Sequence, residues 1–188
     1  MTVTYRTATV ADAAAVAAIG ARTFTDTFGH LYSAANLALF LEHHTSDRWA
    51  AAIAGDATVR FAEAAGVAVG YARIGPLTFE VETTGRPGLQ LYQLYVDPPF
   101  HGSGVAAALL DWAAACARTR GAADLWLSVF VHNPRARRFY ARAGFVEVMP
   151  YTFMVGDHAD EDIICRLALD SGSGRLALDA GASPPALQ

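Results

Sequence analysis

The chain has 188 residues, 53% of them hydrophobic and 17% charged, a balance that excludes intrinsic disorder and leaves room for one good core. Its formal net charge of −4 disfavours a nucleic-acid partner, which needs a basic surface. All 14 basic residues are arginines, which excludes a lysine Schiff base and a phosphate-binding Gly-Lys-Ser/Thr loop.

The N-terminal run MTVTYRTATV lacks the charged and apolar regions of a signal peptide. No apolar run reaches the ~20 residues of a membrane span, so a cytoplasmic protein is expected. Val3–Thr7 reads as a first strand, and Asp12 introduces an Ala-rich helix to about Ala21. Thr23–Tyr32, TFTDTFGHLY, is expected as a polar-aromatic connection. Ser33 caps a helix through Leu41, and Thr45-Ser46-Asp47 caps a third that ends at Gly55. Thr58–Ala64 and Val67–Gly75 form a hairpin-like pair around Ala65-Gly66.

Pro76–Gly88 is the most loop-like internal segment, with Gly and Pro at both ends. The fourth strand is Leu89–Val96, and its helix runs from about Ser103 to Thr119, stopped by Gly121. Leu125–Val131 is the fifth strand. Pro134 suits the first turn of a short helix, Arg135–Ala143, and Gly144 suits its end. Phe145–Met154 and Asp160–Leu169 close the domain as an antiparallel pair. The order βααα-ββ-βα-βα-ββ gives an α/β (α+β) fold with a mixed sheet flanked by helices.

Cys116 and Cys165 both fall on apolar stripes and read as core packing residues, and no His/Cys/Asp spacing points to a metal site. Residues 1–169 are expected to form one domain and residues 170–188 a flexible tail. Arg166-Leu-Ala-Leu-Asp170 recurs as Arg175-Leu-Ala-Leu-Asp179. The echo is either chance or a strand mimic that pairs with a sheet edge or a second subunit, as in a homodimer.

Two blocks carry the chemistry. In the first, Leu89–Leu110, a β-rich run ends at a Pro-broken turn, then a glycine loop, His101-Gly102-Ser103-Gly104, opens a helix. Glycine lets main chain approach a ligand, and unpaired N–H groups at a helix start stabilise an anion. In the second, a strand leads to Asn133, Ala136, Phe139, Tyr140, Gly144 and Phe145. The chain resembles the GCN5-related N-acetyltransferase superfamily. Its first motif, Gln/Arg-x-x-Gly-x-Gly/Ala, is here His101-x-x-Gly104-x-Ala106, with His101 in the place of Gln/Arg. Its second, Asn-x-x-Ala-x-x-Phe-Tyr-x-x-x-Gly-Phe, is filled at every position.

The resemblance implies a mostly antiparallel sheet whose parallel fourth and fifth strands splay apart around acetyl-CoA, and transfer of its acetyl group to an amine of a small molecule or peptide. The main chain of His101, Gly102, Ser103, Gly104, Val105 and Ala106 would hold the pyrophosphate. Leu94, Tyr95 and Val96 would border the pantetheine arm, with the Val96 N–H as oxyanion donor. Asn133, Ala136 and Phe139 would line the other side.

Tyr140 is the general-acid candidate for the leaving thiolate, with core packing as its alternative. Gln90 stands where relatives carry a Glu base; it can orient a water or the amine but cannot take a proton. Glu80, Glu82, Tyr92 and Tyr95 are substitutes, and a mechanism without a dedicated base stays open. The acceptor pocket is expected from the Pro76–Gly88 loop and the first connection, with Phe24, Phe28, Tyr32 and Tyr92 as substrate contacts and Asp26, Thr27 and His30 beside them. Gln90 and His101 also leave room for a catalytically weak acyl-CoA-binding or sensor protein of the same fold.

Overall fold

The computed structural model describes residues 2–169. Its strands are β1 (Val3–Thr7), β2 (Thr58–Ala64), β3 (Val67–Pro76), β4 (Gly88–Val96), β5 (Asp124–Phe130), β6 (Val146–Val155) and β7 (His158–Ala168). Its helices are α1 (Ala13–Phe28), α2 (Ala34–Leu41), α3 (Ser46–Ala54), α4 (Val105–Thr119) and α5 (Pro134–Arg142). The strands form one sheet in the order β1-β2-β3-β4-β5-β7-β6. Every pairing is antiparallel except β4 with β5. The segment beyond residue 169, with its repeated Arg-Leu-Ala-Leu-Asp, lies outside the described residues.

Each face of the sheet buries its own apolar layer. Helices α1 and α3 set Val16, Ile19 and Trp49 against Val59, Phe61 and Tyr71. On the opposite face α4 sets Leu109, Leu110 and Ala113 against Ile74, Leu125 and Leu127. Cys116 and Cys165 pack against this second layer, and burial pushes the Cys165 thiol up to about 11, which keeps it an unreactive core residue.

Helix α1 runs about two turns past its expected end. Threonines and aromatics at 23–28 have modest helix propensity, yet the segment is helical because Thr23 and Phe24 are buried. The Phe24 ring stacks on Phe40 and lies 5.3 Å from Phe28. Packing outweighs propensity, and the expected connection shrinks to a single 3-10 turn, Gly29–Leu31, before Tyr32.

Two irregularities open the middle of the sheet. β4 and β5 pair only over Gly88↔Asp124, Leu89↔Leu125 and Gln90↔Trp126. On the other side of β4 the register slips, Arg73↔Gln93 being followed by Ile74↔Leu91, so Tyr92 is the extra residue of a bulge. A bulge bends its strand and increases its twist, and here it falls where β4 leaves β5. The sequence gives the strands; the separation comes from this register slip.

Candidate active site

Beyond Gln90 the strands β4 and β5 border a cleft of about 490 Å³. The direction of the main chain along β4 follows from one bond. Asp97 N donates to Val69 O at 2.8 Å, so in an antiparallel ladder the N–H and C=O of Tyr95 turn toward β3 and those of Leu94 and Val96 turn toward the gap. β4 thus turns the N–H groups of Leu94 and Val96 and the carbonyl of Leu94 to whatever fills the cleft, while His101 takes the Val96 carbonyl.

At one end of the cleft lies the glycine loop. Gly102 and Gly104 have φ of +79° and +88°, and a Cβ built on either meets nothing within 4 Å. Open space over the backbone at two left-handed positions is a cradle that a side chain would fill, and it fits a phosphate group. The donors are the N–H groups of Gly102 and Gly104, which reach no carbonyl among the described residues, and those of the first turn of α4, Val105 and Ala106. His101 N and Ser103 N do not contribute, because they close turns onto Pro98 O and Phe100 O. The Ser103 hydroxyl also donates to Phe100 O, at 2.6 Å, and the Val105 side chain is buried in the core.

The His101 side chain is locked. Arg135 Nη1 lies 2.5 Å from Nδ1, and a guanidinium can only donate. Nδ1 is therefore the acceptor, and Nε2 carries the hydrogen that it donates to Val96 O at 2.8 Å. The positive charge that His101 fails to supply arrives from α5 as Arg135, which also lines the cleft.

Across the gap, Asn133 caps α5 by accepting from Ala136 N at 3.1 Å, which leaves its amide N–H groups available. Tyr140 packs its ring edge-on against Phe139 and Phe145. Its hydroxyl has no partner among the described residues, and the residue lines the cleft. Burial raises the phenol above its usual value, with Tyr95 and Cys165 adding to the effect, so Tyr140 holds its proton at neutral pH.

The other face of the gap is aromatic and acidic. Phe24, Phe28, Tyr32 and Phe130 line it together with Ser128, Asp160 and Asp162. Tyr32 stacks on Phe24 and donates its hydroxyl hydrogen to Asp160. Ser128 Oγ donates to Asp162 Oδ2 at 2.7 Å. Burial raises the Asp162 carboxyl to about 6, opposed by the Ser128 bond and reinforced by the charge of Asp160.

A model of the Acetyltransferase (GNAT) family matches residues 21–145. The chain belongs to the GNAT family of acetyltransferases. An uncharacterized N-acetyltransferase of Lactobacillus delbrueckii subsp. lactis is 30% identical over 154 residues, 81% of this chain and 89% of that one. One from Mycobacterium bovis is 34% identical over 155 residues, 81% of this chain and 95% of that one. Among solved structures, the PaiA N-acetyltransferase of Thermoplasma acidophilum in complex with coenzyme A aligns with a TM-score of 0.72 at 17% identity, over 89% of this chain and 99% of that one. The Salmonella typhimurium yncA structure with acetyl-CoA aligns with a TM-score of 0.68 at 22% identity, over 96% and 100%. Both share the GNAT fold.

Within this GNAT cleft the structure gathers Leu94, Tyr95, Val96, His101, Gly102, Gly104, Ala106, Asn133, Ala136, Phe139 and Tyr140, and also Phe24, Phe28, Tyr32 and Tyr92. Several expected residues fall elsewhere. Gln90 is buried in the paired part of β4, where its Oε1 accepts from Thr78 N at 3.0 Å and Thr78 Oγ1 at 2.8 Å. It anchors the 77–87 loop and does not line the cleft. Nor does any residue of that loop, and Glu80 and Glu82 are both exposed. Asp26 and His30 point to solvent from α1 and the turn after it.

Tyr92 lines the cleft but donates its hydroxyl to Pro76 O at 2.6 Å, and burial holds the Tyr95 phenol protonated. Neither phenol is a base. Sequence reasoning missed Ser128, Asp160, Asp162 and Arg135. The one signal available was acids at alternate positions, Asp160 and Asp162, inside a strand whose next residue in that phase is Ile164. No helix among the described residues is long and apolar enough to cross a membrane.

Proposed function

We propose that residues 1–169 form an acetyl-transfer domain that moves an acetyl group from acetyl-CoA to a primary amine of a small molecule or peptide by direct attack. The observation that carries this reading is the separation of β4 from β5, with the N–H groups of Leu94 and Val96 turned to the gap, a glycine cradle, and a tyrosine hydroxyl unpartnered among the described residues, all around one cleft. Acetyl-CoA supplies a thioester whose carbonyl carbon accepts the amine's electron pair while its sulfur departs. Gly102, Gly104, Val105 and Ala106 bind the pyrophosphate through N–H groups, and Arg135 adds a positive charge beside them. Leu94 orients the pantetheine arm through its main-chain groups, and the Val96 N–H donates to the oxygen that gains charge. Asn133 binds the arm from the α5 side. Tyr140, protonated and aimed into the gap, gives its proton to the departing sulfur.

Calorimetric titration with acetyl-CoA, followed by thiol release with a panel of amines, tests this reading. Binding together with thiol release supports it. Binding with no release on any amine replaces it with the sensor function that the same fold allows.

A further inference from the structure

Among the described residues, the acceptor side of the cleft holds two carboxylates, and the one basic side chain on them is His158, which sits on Asp160. Asp160 is 6% exposed and Asp162 8%. Both oxygens of Asp160 are occupied: Tyr32 donates to Oδ2, and His158 Nε2 lies 3.3 Å from Oδ1. Asp162 is half occupied. Its Oδ2 accepts from Ser128, while Oδ1 has no partner among the described residues and the side chain borders the cavity. A carboxylate that is nine-tenths buried, with one oxygen open to a cavity and no guanidinium on it, is stabilised by any cation that enters.

Among the described residues, the groups that face Asp162 are phenols, a hydroxyl, a thiol and a carboxylate. Tyr95 reaches toward Asp162 from β4, Ser128 from β5, Tyr32 from the segment before α2, and Asp160 and Cys165 from β7 itself. The two phenols and the thiol are all raised by burial and stay neutral. His158 is tied to Asp160. The hydrophobic walls, Phe24, Phe28 and Phe130, suit an alkyl or aromatic body behind the charged end.

Given the acetyl-transfer reading above, we propose that Asp162 is the base that takes a proton from the acceptor, and that the acceptor is an alkyl primary amine arriving as its ammonium cation between Asp160 and Asp162. One N–H bond of the ammonium breaks as Oδ1 of Asp162 gains the proton. The freed electron pair forms the C–N bond while the C–S bond breaks and its electrons leave on sulfur. Tyr140 protonates that sulfur and recovers a proton from the acylated nitrogen. Asp162 then releases its own proton to water, so one ammonium and one thioester give one amide, one thiol and one proton. The raised carboxyl of Asp162 suits a base that works near neutral pH.

The test uses the full chain, acetyl-CoA, and two sets of amines: alkylamines, protonated at neutral pH, and anilines, neutral there. The wild type is expected to acetylate alkylamines, with kcat/KM falling below an acidic limb. Asp162→Asn is expected to lower kcat/KM for alkylamines by about 100-fold with acetyl-CoA binding by calorimetry kept, and Asp162→Glu to recover part of the loss. Ser128→Ala removes the hydrogen bond that lowers the Asp162 carboxyl and is expected to move the acidic limb to higher pH, a readout that stands even where Asp162→Asn folds poorly.

Three results overturn the proposal: a wild type that accepts only anilines, an Asp162→Asn variant within about threefold of wild type on alkylamines, or a limb unmoved by Ser128→Ala. A wild type that binds acetyl-CoA but releases thiol with neither set overturns the transfer reading itself, and that arm is read before any variant is made.

Discussion

Replacing Gly104 by valine separates the cost of a backbone conformation from the loss of a ligand, because the fold contains its own control. Gly104 has φ +88° and Gly66, in the tight turn between β2 and β3, has φ +76°; a Cβ on either meets nothing within 4 Å. Neither substitution creates a clash within the protein. Both force an L-residue into the left-handed region, at about 1–2 kcal/mol each. For a chain of this size that is a fall in Tm of about 2–8 °C, and it should be similar for Gly104→Val and Gly66→Val.

Acetyl-CoA binding should divide them. At Gly66 the new side chain stands in a turn that does not line the cleft, and affinity stays at the wild-type value. At Gly104 it occupies the open space over the cradle and holds the phosphate off the N–H groups. We expect an affinity loss of at least about 100-fold, or roughly 2.8 kcal/mol. Thermal melts and calorimetric titration of the three proteins measure both quantities. Equal acetyl-CoA affinity in the two variants would refute the placement of the cofactor on this loop.

Tyr140→Phe should lower kcat by about 100-fold while leaving acetyl-CoA affinity nearly unchanged, since the ring packing against Phe139 and Phe145 survives; steady-state kinetics with calorimetry check it. Arg135→Ala removes the donor that fixes the His101 ring, and should weaken acetyl-CoA binding about tenfold and flatten its salt dependence, measured by titration at two ionic strengths. Asp162→Asn should stabilise the fold at neutral pH. The folded carboxyl is raised to about 6 from the ordinary 3.8, so the folded state holds its proton more tightly than the unfolded chain. The contribution of Asp162 to stability is full below 3.8 and is lost as pH rises through about 6, a loss of about 3 kcal/mol. Urea melts across that window should show wild type falling relative to Asp162→Asn, and parallel curves would contradict the burial of this charge.

What was legible in the sequence is what is local. The cradle of Gly102 and Gly104 is a property of consecutive residues, and the cap by Asn133, with Pro134 behind it, is another. Secondary structure fails only where long-range packing intervenes. Thr23–Phe28 has the composition of a connection and becomes helix because Phe24 finds Phe40 and Tyr32. Gln90 was misplaced because its role depends on Thr78, twelve residues away on a loop that turns back over it.

The sequence by itself determined the order of strands and helices and marked the glycine loop and the Asn133 cap that border the cleft, since apolar periodicity, caps and glycines act over a few residues. The acceptor half was decided by tertiary structure alone. Asp160 and Asp162 look like solvated acids in HADEDIICRLAL, and which face of β7 they occupy depends on its register against β5, where Phe130 stands opposite Asp162. The gap itself depends on where β4 slips against β3 at Tyr92 and parts from β5 after Gln90. Those are pairings between distant segments, and a side chain's exposure, charge and chemical role follow from them.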